Sequence, residues 1–262
     1  MSTPMSIHSG KRAEFPSLRG RRVLVTGGAT GIGAALVEAF SLQGAVVAFV
    51  DIDAVASQAL ATRLQAPDRT IWWQVCDVAD LAALRSAISA AASAVGDFDV
   101  LVNNVANDDR HDLESVSAEY WDRCMAVNER ASFFAIQAVV AGMKRLGGGS
   151  IVNIGSTGWQ NKNASYPCYS IAKSSVNGLT RGLAQSLGAD RIRINTVSPG
   201  WVMTEKQLRL WVNADAEREI TRNQCLPDRV QPEDVAAMVL FLASDDARMC
   251  SAQEFVVDGG WR

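Results

Sequence analysis

Val23-Leu24-Val25-Thr26-Gly27-Gly28-Ala29-Thr30-Gly31-Ile32-Gly33 is the stretch on which the fold turns. The apolar run Arg22–Thr26 reads as a buried strand, the glycines as a tight turn, and the pattern from Gly31 to Gln43 as a helix. Glycine permits the turn and lets the backbone approach a ligand closely. A helix start offers unpaired N–H groups and the positive end of a dipole, which suits an anion. In this strand–turn–helix setting Gly27, Gly31 and Gly33 read as a pyrophosphate cradle; the plainer alternative is an ordinary turn between strand and helix.

Outward from that loop the same alternation repeats. Val46–Val50, Ile71–Cys76, Val100–Asn103, Ser150–Ile154, Arg193–Val197 and Phe255–Val257 read as further strands. Helices are expected between them: one through Leu64, others over Leu81–Val95, Ser117–Leu146, from around Tyr169 to Leu187, and Pro232–Ala243. Short continuous apolar strands separated by helices predict an α/β fold, a seven-stranded parallel sheet covered on both faces. No linker or repeat interrupts it, so residues 18–262 are taken as one domain and residues 1–17 as a disordered tail. The stretch from Pro199 to Pro227 reads as an irregular insertion, a length that is usually functional.

Composition narrows the classes. With 48% hydrophobic residues the chain can build a sizeable core. A net charge of −3 without a basic stripe argues against nucleic acid as a partner. No apolar run approaches the ~20 residues that span a bilayer. Five scattered cysteines without a C-x-x-C favour reduced thiols in a cytoplasm. The only histidines, His8 and His111, make no zinc spacing with them, so no metal site is expected.

Two further signals carry chemistry. Asp51 closes the second strand about 20 residues past the glycines, where a carboxylate accepts from ribose hydroxyls and repels a 2′-phosphate. No Arg or Lys stands at Thr30 or Ile52 to offset it, which favours NAD over NADP; a solvated strand-end acid is the alternative. Asp77 closes the third strand similarly, facing an adenine or capping a helix. Tyr169 and Lys173 are four residues apart, one helical turn, so they share a face. An ammonium beside a phenol favours the phenolate, and such a tyrosine works as a general acid or base.

With Thr26-Gly27-x-x-x-Gly31-x-Gly33, Asp77, Asn103-Asn104, Asn128, Ser156, Tyr169-x-x-x-Lys173, Pro199-Gly200 and Thr204 in order, the chain resembles the short-chain dehydrogenase/reductase family from about Gly20 to Gly260. The resemblance implies a doubly wound Rossmann domain and a catalytic tetrad of Asn128, Ser156, Tyr169 and Lys173. It implies a cofactor set of Gly27, Thr30, Gly31, Ile32, Gly33, Asp51, Ile52, Asp77, Val78, Asn104, Tyr169, Lys173, Pro199, Gly200, Val202 and Thr204. In that scheme Tyr169 takes the hydroxyl proton, Ser156 holds the reacting oxygen, Lys173 lowers the Tyr169 pKa, and Asn128 holds a water that links Lys173 to solvent. One departure stands out. Val105-Ala106 replaces the family's Ala-Gly after Asn103-Asn104 and adds bulk beside the cofactor path.

A narrower resemblance rests on Asn107-Asp108-Asp109-Arg110-His111, Tyr120-Trp121-Asp122, Trp159, Gln224-Cys225-Leu226, residues 240–247 and Gly260-Trp261-Arg262. These are similar to bacterial aldose 1-dehydrogenases of the D-xylose type. They imply NAD-dependent oxidation of a cyclic sugar at C1 to its lactone. Asn107, Asp108, Ser156, Trp159, Tyr169 and Trp201 are the substrate candidates, with Gln160 and Asn161 as further hydrogen-bonding groups. Arg110 is expected to pair with Asp109 or with a neighbouring subunit. The family commonly forms tetramers through the helices carrying Asn128 and Tyr169, so a homotetramer is expected. Other alcohols (a polyol, a steroid or a 3-oxoacyl thioester) and a non-catalytic dinucleotide sensor stay as alternatives.

Overall fold

The computed structural model describes residues 13–162 and 164–262. Its centre is a seven-stranded, wholly parallel sheet. The strands are β1 (Arg22–Thr26), β2 (Val46–Asp51), β3 (Ile71–Val75), β4 (Val100–Asn103), β5 (Gly149–Ile154), β6 (Ile192–Pro199) and β7 (Glu254–Val257). Their spatial order is β3-β2-β1-β4-β5-β6-β7. The helices are α1 (Gly31–Leu42), α2 (Ala54–Leu64), α3 (Leu81–Val95), α4 (Ala118–Met125), α5 (Ala131–Leu146), α6 (Pro167–Gly188), α7 (Glu205–Leu210), α8 (Ala214–Asn223) and α9 (Pro232–Ala243).

The continuous apolar strands are explained by two cores, one on each side of the sheet. Val23 and Val25 enter one core with Phe40 of α1 and Val239 of α9. Leu24, between them, enters the other with Ile88 of α3 and Ile136 of α5. The same alternation places Val47 and Phe49 on one side and Ala48 and Val50 on the other. Side chains alternate along a strand, so a strand covered on both faces must be apolar at every position.

Connections leave β1 towards β2 on one side, and the chain re-enters at β4 on the other. The order therefore reverses between β1 and β4. In such sheets ligands settle outside the carboxyl ends of the strands at that reversal.

Three expectations need correction. The helix expected over Ser117–Leu146 is broken by a π-helical turn, Ala126–Arg130, between α4 and α5. The Asn128 side chain donates to the Cys124 carbonyl at 3.0 Å, and such a polar insertion widens the helical ladder. The stretch after Pro199 is not irregular: it folds as α7 and α8, capped by the Thr204 and Asn213 side chains. The tail also ends before residue 17. Leu18 is fully buried, the Phe15 N–H donates to Gln43 Oε1 at 2.7 Å, and Ser17 Oγ accepts from the Asp245 N–H at 3.1 Å. Residues 1–12 of that expected tail lie outside the described residues. Among the described residues no helix is long and apolar enough to cross a membrane.

Candidate active site

The glycine turn leaves β1 and starts α1, and its shape excludes side chains. A Cβ at Gly33 would lie 1.8 Å from the Gly27 carbonyl oxygen and 2.8 Å from Asn104 Nδ2. Gly27 itself has φ +68, a conformation that favours glycine. Asn104, at the end of β4, ties the turn down: its Nδ2 donates to the Gly27 carbonyl at 2.7 Å, and its N–H donates to Thr26 Oγ1 at 3.0 Å. Asp51 accepts from the N–H groups of Ala29 at 2.9 Å and Asp53 at 3.0 Å, which plants a carboxylate at the rim of the turn. Thr30 makes no side-chain cap on α1. The N–H groups of the first turn thus have no side-chain acceptor and face an anion site.

A cavity of about 1140 Å³ opens over this turn and continues to Tyr169. Every expected cofactor residue lines it except Gly31. Gly31 instead lies against Thr204: a Cβ there would meet Thr204 Cγ2 at 3.2 Å. Asp77 sits in the wall in an ion pair with Arg123 at 2.9 Å and accepts from the Ala79 N–H at 2.9 Å. The N-cap of α3 falls to Asp80, which leaves Asp77 to the cavity. The cradle closed to a Cβ and the uncapped helix start are what a dinucleotide pyrophosphate requires, so these residues fit that group.

Ser156, Tyr169 and Lys173 lie together on the far wall. Tyr169 and Lys173 come from α6; Ser156 follows β5. Burial pushes the Tyr169 phenol well above its ordinary value, and a hydrogen bond with the Ser156 hydroxyl pulls the other way. Burial lowers the Lys173 ammonium to about 8. Its Nζ donates to the Ile154 carbonyl at 2.8 Å and stands 5.9 Å from the Tyr169 ring centre. The expected lowering of the phenol by Lys173 does not appear here: desolvation dominates, and the opposing pull comes from Ser156 and Arg110.

Asn128 does not line the cavity. Its Oδ1 accepts from the Asn107 N–H at 2.9 Å and its Nδ2 donates to the Asn107 carbonyl at 3.1 Å. Among the described residues it makes no direct bond to Lys173, so the geometry gives it a hold on the backbone at Asn107.

His111 has a related role. Its Nε2 accepts from the Cys168 N–H at 3.1 Å, at the start of α6, and its Nδ1 lies 2.8 Å from the Tyr120 hydroxyl. The backbone donor fixes Nε2 as the unprotonated nitrogen. One residue beyond Cys168 is Tyr169, so the ring anchors the turn that presents the phenol.

Of the substrate candidates, Asn107, Asp108, Ser156, Tyr169 and Trp201 line the cavity. Trp159 does not. It sits in the turn after Thr157, closed by the Gln160 N–H to the Thr157 carbonyl at 2.9 Å, with its indole Nε1 buried. Gln160 also leaves, its amide donating to Glu254 at 3.2 Å, while Asn161 stays. Asp108 accepts from Lys206 Nζ at 2.8 Å and from Gln207 Nε2 at 2.6 Å. Burial pushes its carboxyl up, but these donors outweigh that and leave it below the ordinary value.

Residue-by-residue reading missed Lys206, Gln207 and Trp261 in the wall. The first two sit on α7, whose signal was the Thr204 cap before a charged turn. Trp261 reaches the cavity because Asp258 accepts from the N–H groups of Gly260 at 2.8 Å and Arg262 at 3.1 Å. That strap leaves the ring 6.5 Å from Trp201, centre to centre.

A family model described as enoyl-(acyl carrier protein) reductase matches residues 27–262. The chain is 46% identical over 250 residues to a D-xylose 1-dehydrogenase of Caulobacter vibrioides, covering 95% of this chain and 99% of the relative. It is 45% identical over 249 residues to a probable galactose dehydrogenase of Rhizobium meliloti, covering 95% and 97%. The chain belongs to the short-chain dehydrogenase/reductase family. Among solved structures, a blue fluorescent protein from a metagenomic library, in complex with NADPH, superposes with a TM-score of 0.87 at 36% identity over 94% of this chain and 99% of that one. As a short-chain dehydrogenase/reductase the chain is an oxidoreductase that works with a nicotinamide dinucleotide.

Proposed function

We propose that the chain oxidises a cyclic aldose at C1 to its lactone, with NAD as the hydride acceptor. The observation that carries this reading is the make-up of the cavity that holds Ser156 and Tyr169. Asn107, Asp108, Asn161, Lys206 and Gln207 line it with hydrogen-bonding groups, and Trp201 and Trp261 supply rings for the apolar faces of a sugar. The relatives named for D-xylose and galactose oxidation support the same substrate class. A wall this polar disfavours a steroid or a long acyl thioester. Asp51 supports NAD, since its carboxylate at the turn would repel a 2′-phosphate.

When bound, the cofactor supplies a hydride acceptor at nicotinamide C4. The remaining steps belong to the chain. The C1 hydroxyl lies between Ser156, which donates to its oxygen, and Tyr169, whose phenolate takes its proton. Lys173 stabilises the phenolate and reaches the ribose. Asn128 holds the Asn107 backbone at the sugar's other side. Gly27, Gly33 and the start of α1 would hold the pyrophosphate, Asp51 the adenosine ribose and Asp77 the adenine. The cytoplasm stays the compartment of this reading, on the odd, scattered set of cysteines.

The test is a spectrophotometric panel. Purified protein with NAD and D-xylose, L-arabinose, D-galactose or L-fucose generates NADH, faster than NADP is reduced. A panel in which no aldose reacts while a polyol or steroid does would sink the sugar reading.

A further inference from the structure

Arg110 was expected to pair with Asp109 or with a neighbouring subunit, and the pairing with Asp109 is absent. Lys206 takes Asp109 at 3.2 Å and Asp108 at 2.8 Å, while Gln207 takes the second oxygen of Asp108. The Arg110 guanidinium instead lies over the Tyr166 ring at 4.2 Å and near the Trp211 ring at 5.0 Å. It lines the cavity, and among the described residues it makes no hydrogen bond or ion pair. Its Nη1 is buried and has no acceptor among the described residues.

A planar guanidinium can stack on rings with its faces while its N–H donors point outward in the plane. Stacking offsets part of the cost of burying the charge, but a buried N–H without an acceptor stays costly. Such a group in a cavity wall is explained by an acceptor that arrives with the ligand. The position narrows which one. Tyr166 packs at right angles to Tyr169, ring centres 5.1 Å apart, and the Arg110 guanidinium lies 4.2 Å from the Tyr166 ring centre. Tyr166 thus bridges the guanidinium and the ring of Tyr169, and Arg110 is a neighbour of the reacting phenol rather than its partner. Asp108 and Glu219 share the lining with Lys206 and Arg222, so the surroundings of Arg110 are of mixed charge and suit neutral hydroxyls without an excess of positive charge that would select a carboxylate.

We propose that Arg110 is a specificity-determining residue that donates hydrogen bonds to sugar hydroxyl oxygens away from C1. This rests on the aldose reading above. The stacked rings hold the fork in place, and the ion pairs around Lys206 keep neighbouring carboxylates from capturing it.

The experiment compares the native protein with Arg110→Gln and Arg110→Lys, using the best aldose of the panel and its single-deoxy analogues. Circular dichroism and the KM for NAD report folding and an intact cofactor site. Arg110→Gln raises the KM for the sugar about 10- to 100-fold, the range for a lost charged hydrogen bond, with the KM for NAD unchanged. One deoxy analogue suffers the same loss with the native protein and no further loss with the variant. Arg110→Lys keeps the charge without the fork and recovers only part of the affinity; if the Gln variant does not fold, the Lys variant carries the same deoxy comparison. A KM within twofold of native, or an equal loss for every analogue, overturns the proposal and leaves the aldose function standing. A sugar carboxylate oxidised in preference to the neutral sugar overturns the hydroxyl assignment. A native protein that oxidises no aldose overturns both.

Discussion

Tyr169 is half-buried in the cavity wall, and desolvation there raises its phenol, which resists ionising. Oxidation needs its phenolate, so kcat/KM is expected to rise with pH across the neutral and alkaline range. Tyr169→Phe is expected to abolish turnover, at least 1,000-fold below native, while the cofactor still binds; the proton acceptor is gone and the cradle is untouched. Single-turnover kinetics with a cofactor titration checks both, and retained turnover would remove Tyr169 as the base. Lys173 gives a stability test with a defined sign. Its folded value of about 8 lies below the roughly 10.4 of an unfolded lysine. Between about pH 8 and 10 the unfolded chain binds the extra proton, so this group makes stability rise with pH. Buried Cys76, raised to about 11, works oppositely, because its thiol ionises first in the unfolded chain. The Lys173 contribution is therefore read as the difference between native and Lys173→Met. In denaturant melts that difference is expected to move in favour of the native protein from pH 8 to pH 10, and a flat difference would mean the lysine is not desolvated.

The elements differ in how plainly their sequences announce them. α3 and β1 stand where hydrophobic periodicity puts them, because both bury a face against the sheet and their patterns reflect it. The π turn at Ala126–Arg130 has no such pattern, since it depends on where one amide side chain finds its acceptor. α7 and α8 were obscured by their polarity: few of their residues are buried, so little periodicity marks them. Their closure over the cavity depends on side chains far apart in the chain, Lys206 and Gln207 with Asp108. Lys206→Ala is expected to loosen that closure. The sugar KM rises about 2- to 5-fold, as befits a partly exposed ion pair, and amide exchange quickens over residues 205–223. Unchanged exchange with an unchanged KM would show that the pair does not hold α7 against the Asn107–His111 loop.

For the whole molecule, the strand order decides where chemistry happens. The reversal between β1 and β4 opens a crevice, and the glycine turn, Asn104, Ser156 and Tyr169 all stand at the carboxyl ends of strands around it. Outside that crevice, Tyr120, Trp121, Phe133 and Ile171 of α4, α5 and α6 are exposed despite their size. A homotetramer through these helices is the expected assembly, since large apolar side chains on neighbouring helices mark an interface. Light scattering at micromolar concentration checks it, with Phe133→Asp and Ile171→Asp together expected to shift the mass to a smaller species; a native monomer would refute the assembly.

The sequence by itself determined the class of the fold, the phosphate turn and the Tyr169–Lys173 face. Each of these is local: a glycine turn, an alternation of strand and helix, and a one-turn spacing are written within a few consecutive residues. Only the tertiary structure decided that Asn128 grips Asn107, that Trp261 rather than Trp159 lines the cavity, that burial raises the Tyr169 phenol, and that Arg110 is left without a carboxylate. These follow from desolvation and from pairings between residues tens to a hundred or more positions apart. Burial and pairing are properties of the packed chain, and no single segment contains them.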